Sequence, residues 1–173
     1  MISNYFNKKT NTIFPKKKIF HGNLIEQLRY GENSHQLSAI YSSSSNMNLK
    51  QIHGKQLSHN NYNDIFSALT ISRSLPKGKG TVIVKHANPC GVSAKNDHLD
   101  SYKSALSCDP VSAFGGIVSC NFKITKNLAE ELNKLFLEVV IANGFDNSAI
   151  KILKNKKNLR LIDGTNYKSE ELL

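Results

Sequence analysis

The chain has 173 residues, a net charge of +10, 39% hydrophobic residues and only three cysteines. That length and apolar content point to about one domain with a real core and exclude a disordered tail. No apolar run nears the roughly 20 residues that span a bilayer, and the amino terminus lacks the apolar segment of a secretory signal, so a cytoplasmic protein with no membrane partner is expected. Cys90, Cys108 and Cys120 are odd in number and widely spaced, unlike a zinc ribbon or a disulfide scaffold, and read as reduced.

Residues 1–50 are rich in Asn, Lys and Ser and read as irregular, with 42–48 a flexible loop. Within them LRYGENSHQ (28–36) is densely polar. Arg29 is a bidentate anion donor, Tyr30 an aromatic platform, and Gly31 a flexible link to Glu32; an Arg-Glu surface pair is the plainer reading of the same residues. Ser58 and its Asn neighbours at 60 and 61 stand where a helix begins, and read either as an anion cradle or as an ordinary cap.

From Asn61 the pattern turns regular. Tyr62, Ile65, Phe66 and Leu69 repeat at i, i+3, i+4 and i+7, an amphipathic helix. Residues 81–85 read as a buried strand stopped by a Pro-containing turn. Leu99, Tyr102 and Leu106 mark a second helix that Asn96 or Asp97 can cap. Residues 116–120 form a second strand. A third helix capped by Thr125 follows, with a stripe of Leu128, Leu132, Leu135 and Phe136, and residues 139–141 form a third strand. A short helix over 149–153 leads to a last strand at 158–162. Such alternation predicts an α/β layered domain with at least partly parallel pairing.

Two segments carry chemistry in their residue types. In VIVKHANPCG (82–91) a β-branched strand delivers Lys85 and His86 to its end, a fixed cation beside a base that exchanges its proton near neutrality. Both side chains enter one pocket only if the strand ends at about Lys85 and the turn rotates His86, because strand neighbours point to opposite faces. A strand-end histidine that satisfies a buried carbonyl is the competing reading. In CDPVSAFGG (108–116) paired glycines allow close approach of the backbone to a ligand, and Phe114 can stack on a flat heterocycle; a tight turn with a core phenylalanine is the plain alternative. It is no P-loop, lacking the lysine and spacing of one.

The charge is concentrated in Lys8, Lys9, Lys16, Lys17 and Lys18 and in Lys151, Lys154, Lys156, Lys157 and Arg160. These clusters read as solvated faces, a phosphate-steering field or a nucleic-acid patch. Nucleic acid is disfavoured because the basic runs lack interleaved aromatics.

Taken in order, LRYGEN-HQ, GK-LS-NN-ND, VIVKHANPCGV, DPVSAFGGIV, EVVIA and KKNLRL resemble the aminoimidazole-carboxamide ribonucleotide (AICAR) transformylase region of the bifunctional purine-biosynthesis enzyme family, whose other activity is inosine monophosphate cyclohydrolase. The resemblance runs from about Leu28 to the end, and ISNYF at 2–6 is similar to the family's exit from its cyclohydrolase domain. It implies a stub of that domain or linker at 1–20 and the N-terminal part of the transformylase at 21–173. The implied fold is a cytidine-deaminase-like three-layer α/β/α domain, the first of two repeats, without zinc. Here position 93 is Ser, so Pro89-Cys90 lacks the second cysteine of a deaminase ligand pair.

The resemblance further implies formyl transfer from the co-substrate 10-formyltetrahydrofolate to the 5-amino group of AICAR, with no metal. His86 would take the proton and Lys85 stabilise the oxyanion. Arg29 and Tyr30 would hold the nucleotide, Asn61, Phe114, Gly115 and Gly116 would line its base and ribose pocket, and Glu138 would contact it. Family sites lie at a homodimer interface and draw on a second half of the transformylase, so this fragment is expected to be inactive or feeble alone. A noncatalytic nucleotide-binding or assembly module needing a separately encoded partner is the alternative. Ser34, His59 and Asn143 depart from the family's usual proline, aromatic and proline, loosening turns without removing a proposed chemical group.

Overall fold

A computed structural model describes residue 19 and residues 21–43 and 47–167, which fall into two compact units. The expected stub at 1–20 and the first lysine cluster lie outside these residues, Ile19 apart. The first unit holds most of a two-stranded sheet of β1 (Asn23–Leu28) and β2 (Ser38–Ser42). The second comprises residues 28–38 and those from 48 onward.

In the second unit six strands form one sheet of order β3-β8-β7-β6-β4-β5. These are β3 (Lys50–His53), β4 (Gly80–Lys85), β5 (Asn88–Ala94), β6 (Gly116–Cys120), β7 (Leu137–Ala142) and β8 (Arg160–Asp163). β6, β7 and β8 run parallel, whereas β4 is antiparallel to both β5 and β6, and β3 is antiparallel to β8. The helices are α1 (His59–Ser74), α2 (His98–Cys108), α3 (Lys126–Leu132) and α4 (Asn147–Leu153).

Central strands that are apolar on both sides need cover on both faces, and the helices supply it. α1 packs on β4, β6 and β7, and its Ser72 hydroxyl meets that of Ser119 at 2.8 Å, which turns the Ile117 and Ser119 side of β6 toward α1. Val118 and Cys120 face the other way, into a core with Tyr102 and Ala105 of α2, Leu128 and Leu132 of α3 and Leu153 of α4. Each large aliphatic group buried there contributes roughly 1.5–3 kcal/mol. The expected α/β layering with partly parallel pairing is what the chain forms.

The caps follow the sequence unevenly. Ser58 accepts from the Asn61 amide while the Asn61 side chain accepts from the Ser58 amide, a complete capping box. Asp97, one of the two predicted caps, accepts from the Asp100 amide at 2.8 Å. Thr125 sits at the N-cap of α3, but its side chain makes no capping bond.

Other expectations need correcting. Among the described residues the first third is not irregular, since it contains β1 and β2 and reaches the start of β3, while residues 44–46 of the expected loop lie outside them. The last strand starts at Arg160 rather than 158. Most consequentially, Pro89 does not end the sheet. The chain reverses after Lys85 and runs back as β5, an edge strand where a missing proline N–H leaves no ladder bond unmade.

β5 lies so close to α2 that a Cβ on Gly91 would overlap the Ala105 carbonyl oxygen. Gly91→Ala is therefore expected to destabilise the chain by about 2 kcal/mol or more, read as a lowered urea midpoint at unchanged m-value.

Candidate active site

Register brings the candidate residues to one rim of the sheet. Val84 pairs with Ile117, Gly116 with Leu137 and Val139 with Arg160, so the end of the antiparallel β4 lies beside the starts of β6, β7 and β8. Lys85, Gly116, Glu138 and Arg160 all occupy that rim.

Between β4 and β5 only His86 and Ala87 remain, with φ of 52° and 59°. Two left-handed residues in a two-residue hairpin make a type I′ turn, a shape that matches strand twist but costs non-glycine residues about 1–2 kcal/mol each. Two side chains hold it. The Asp64 carboxylate of α1 accepts the Ala87 amide at 2.7 Å, and the Asn88 amide donates to the His86 carbonyl at 2.8 Å. Ile83 pairs with Gly91 but Val84 with Pro89, leaving Cys90 as the extra residue of a β-bulge.

The rotation at His86 has the effect anticipated from the sequence: Lys85 and His86 line one cavity of about 440 Å3, with Asn88, Cys90, Asp109 and Ser112. Lys85 reaches across to the double-glycine turn, where its ammonium donates to the Phe114 carbonyl at 2.8 Å. Gly115, at φ 75°, donates its amide to the Phe136 carbonyl at 2.8 Å, and a Cβ on Gly116 would lie 2.9 Å from the Val84 carbonyl oxygen. The glycines thus let this turn press against the end of β4. Phe114 leaves more than half of its surface exposed, its ring 5.1 Å from that of Phe136.

A second cavity, of about 190 Å3, is lined by Arg29, Tyr30, Lys55, Leu57, Ser58 and Arg160. The Arg29 guanidinium lies 5.9 Å from the centre of the Tyr30 ring. Glu138 joins this group: its carboxylate accepts from the Asn61 side-chain amide at 2.8 Å and lies 3.9 Å from Arg160. Asn61 is almost wholly buried and engaged at both ends, by Ser58 and by Glu138, so it acts on the rim by holding Glu138 in place. Of the predicted residues, Lys85 and His86 share one cavity next to the Phe114–Gly116 turn, while Arg29 and Tyr30 line the other. His59, one of the departures noted above, meets the Ser38 hydroxyl at 3.1 Å.

Sequence reading missed Lys55, Asp64, Asp109 and the placement of Arg160. All four fall in the motifs quoted above without a role of their own: Arg160 otherwise reads as part of a basic cluster, Asp109 is held locally by the Ser112 amide at 2.9 Å, and Asp64 finds its partner only 23 residues on. Among the described residues no group of three or more His, Cys, Asp or Glu side chains is spaced to hold a metal ion, and no helix is long and apolar enough to cross a membrane.

The family model described as AICARFT/IMPCHase bienzyme matches residues 1–172. The chain is 43% identical over 166 residues to the bifunctional purine biosynthesis protein PurH of Thermoanaerobacter sp. (strain X514), covering 94% of this chain and 32% of that protein. It is 42% identical over 167 residues to PurH of Bacillus cereus (strain ATCC 10987 / NRS 248), with 94% and 32% covered. With PurH of Parvibaculum lavamentivorans it shares 43% identity over 167 residues, with 93% and 31% covered. The chain therefore spans about a third of the length of these curated relatives.

The cysteine in the Lys85 cavity has a testable electrostatic setting. Burial pushes the Cys90 thiol above its ordinary range, and the neighbouring Asp109 charge pushes it further, while Lys85 pulls it back. The Ser112 hydroxyl and amide hold the Asp109 carboxyl below its usual range, so this charge persists at neutral pH. A raised thiol pKa means less thiolate at pH 8. Iodoacetamide should thus alkylate the exposed Cys108 before Cys90, and Asp109→Asn should speed modification of Cys90, both followed by peptide mass spectrometry.

Proposed function

The chain belongs to the AICARFT/IMPCHase bienzyme family, and from that premise we propose that it carries the Lys-His half of an AICAR transformylase site serving purine biosynthesis. In this reading residues 21–173 are the N-terminal part of the transformylase, with a cytidine-deaminase-like fold that works without zinc, and residues 1–20 are a stub of the preceding domain. Turnover in this reading requires the rest of the transformylase, since this stretch spans about a third of its relatives, and a homodimer as the family resemblance implies. The placement proposed is cytoplasmic.

The observation that carries the reading is the convergence of Lys85 and His86 on one cavity against the Phe114–Gly116 turn. The AICAR amine is conjugated with a heteroaromatic ring and is a poor nucleophile, so formyl transfer needs proton removal and charge stabilisation together. The amine lone pair attacks the formyl carbon of 10-formyltetrahydrofolate and its carbonyl oxygen becomes an oxyanion. His86 takes the proton from the attacking nitrogen. An ammonium has three N–H donors, and with one given to the Phe114 carbonyl, Lys85 keeps two for the oxyanion. Collapse breaks the bond to N10 of the folate, which leaves with a proton.

The cations of the second cavity suit the nucleotide phosphate, Arg29 binding it bidentately with Tyr30 alongside. Phe114, Gly115 and Gly116 offer a flat face and a close backbone to base and ribose, and Glu138, oriented by Asn61, contacts the nucleotide.

The test recombines this chain with the rest of a PurH transformylase and measures formyl transfer to AICAR. His86→Ala is expected to lower kcat by roughly 10²- to 10⁴-fold. A noncatalytic assembly module would instead leave the rate of the His86→Ala complex untouched.

A further inference from the structure

We propose that Asp64 is a positioning residue for His86, holding the two-residue turn of the β4–β5 hairpin in its left-handed form from across the sheet face. The inference rests on the reading of His86 as the base and adds to it a residue outside both cavities' linings.

Three observations support it. First, the turn is not one that its sequence prefers. A type I′ turn draws Asn-Gly or Asp-Gly because both residues have positive φ; His tolerates the left-handed region better than most, but Ala does not. Ala87 nevertheless sits at φ 59°. Second, the Ala87 amide points away from the ladder and finds its acceptor in Asp64, 23 residues earlier, at 2.7 Å. A hydrogen bond to an ionised carboxylate is about twice as strong as a neutral one, which offsets the strain of the left-handed residue. Third, the acceptor stands on α1, an element that packs on β4 but also has anchors outside the hairpin. The helix is capped by Ser58 and tied to β6 through Ser72, and its Asn61, one turn before Asp64, holds Glu138 of the same rim.

The consequence is geometric. His86 enters the cavity with Lys85 only because its backbone leaves the strand's alternation. Relaxation of Ala87 to a negative φ would swing the imidazole back toward the face opposite Lys85. The Asn88 bond to the His86 carbonyl closes the turn from within the hairpin but has no anchor outside it.

The test uses the 173-residue chain by NMR, with the recombined enzyme as a second arm. Asp64→Ala should speed exchange of the Ala87 amide about tenfold or more and shift the backbone resonances of His86 and Ala87 away from left-handed values. Asp64→Asn, which keeps a carbonyl acceptor, should retain most of the protection. The double variant Asp64→Ala with Ala87→Gly should regain the left-handed shifts, because glycine adopts that φ without strain. In the recombined enzyme Asp64→Ala should lower kcat at unchanged KM for AICAR, and Ala87→Gly should recover part of the loss. An Ala87 amide and turn indifferent to Asp64→Ala overturns the inference. So does a turn that relaxes without loss of kcat while His86→Ala abolishes turnover, a result that leaves the proposed function standing. Full turnover by His86→Ala would instead sink the function, and the positioning role with it.

Discussion

Antiparallel pairing of Val84 with Ile117 is the contact on which the candidate site depends. Three parallel strands begin at one rim of the sheet, and a fourth strand running with them would end at the far rim. Lys85 would then stand roughly 17–20 Å from Gly116, the length of a five- or six-residue strand. Because β4 runs the other way, its last residue arrives where the others start. The ammonium of Lys85 can then close onto the Phe114 carbonyl, and the tight turn of the hairpin sets His86 beside it. The close approach needs Gly116, since any side chain there would meet the Val84 carbonyl. Direction, register and one absent side chain together assemble the pair.

Much of this was legible in the residues. The helices and the central strands announce themselves through periodicity and β-branched runs, and the caps at Ser58 and Asp97 lie where their side chains predict. The hairpin was not legible. Pro89 and Gly91 are strand breakers by propensity, and only the edge position of β5 and the tight approach of α2 make them suitable there. The short strands of the first third carry too few residues for alternation to show. Within the site, the motif residues could be named, but which of them orient the others could not. Asn61 finds Glu138 77 residues away and Asp64 reaches Ala87 23 residues on, and such partners exist only once the fold exists.

The basic composition also acquires a different meaning. Part of it is structural rather than a steering field. The Lys156 ammonium donates to the Leu135 carbonyl at 2.7 Å, and its burial pulls the group below its ordinary range. Arg73 donates to the Gly164 carbonyl at 3.0 Å and stacks 4.9 Å from the Tyr167 ring. Arg160 turns inward to the second cavity, its side chain mostly covered. Lys151, Lys154 and Lys157 remain exposed, as a solvated face requires. A charge count therefore overstates what is available to a polyanion.

The bulge at Cys90 puts the two halves of β5 out of phase. Asn88 and Pro89 keep step with the ends of β4, whereas Gly91 onward keep step with its middle. Removing Cys90 would join them into an unbroken ladder in which Val84 still meets Pro89 and Ile83 still meets Gly91, every side chain keeping its face. What would go is the bend and added twist that a bulge gives an edge strand. The extra residue therefore shapes the arm locally, at the wall of the Lys85 cavity, and leaves its sidedness untouched.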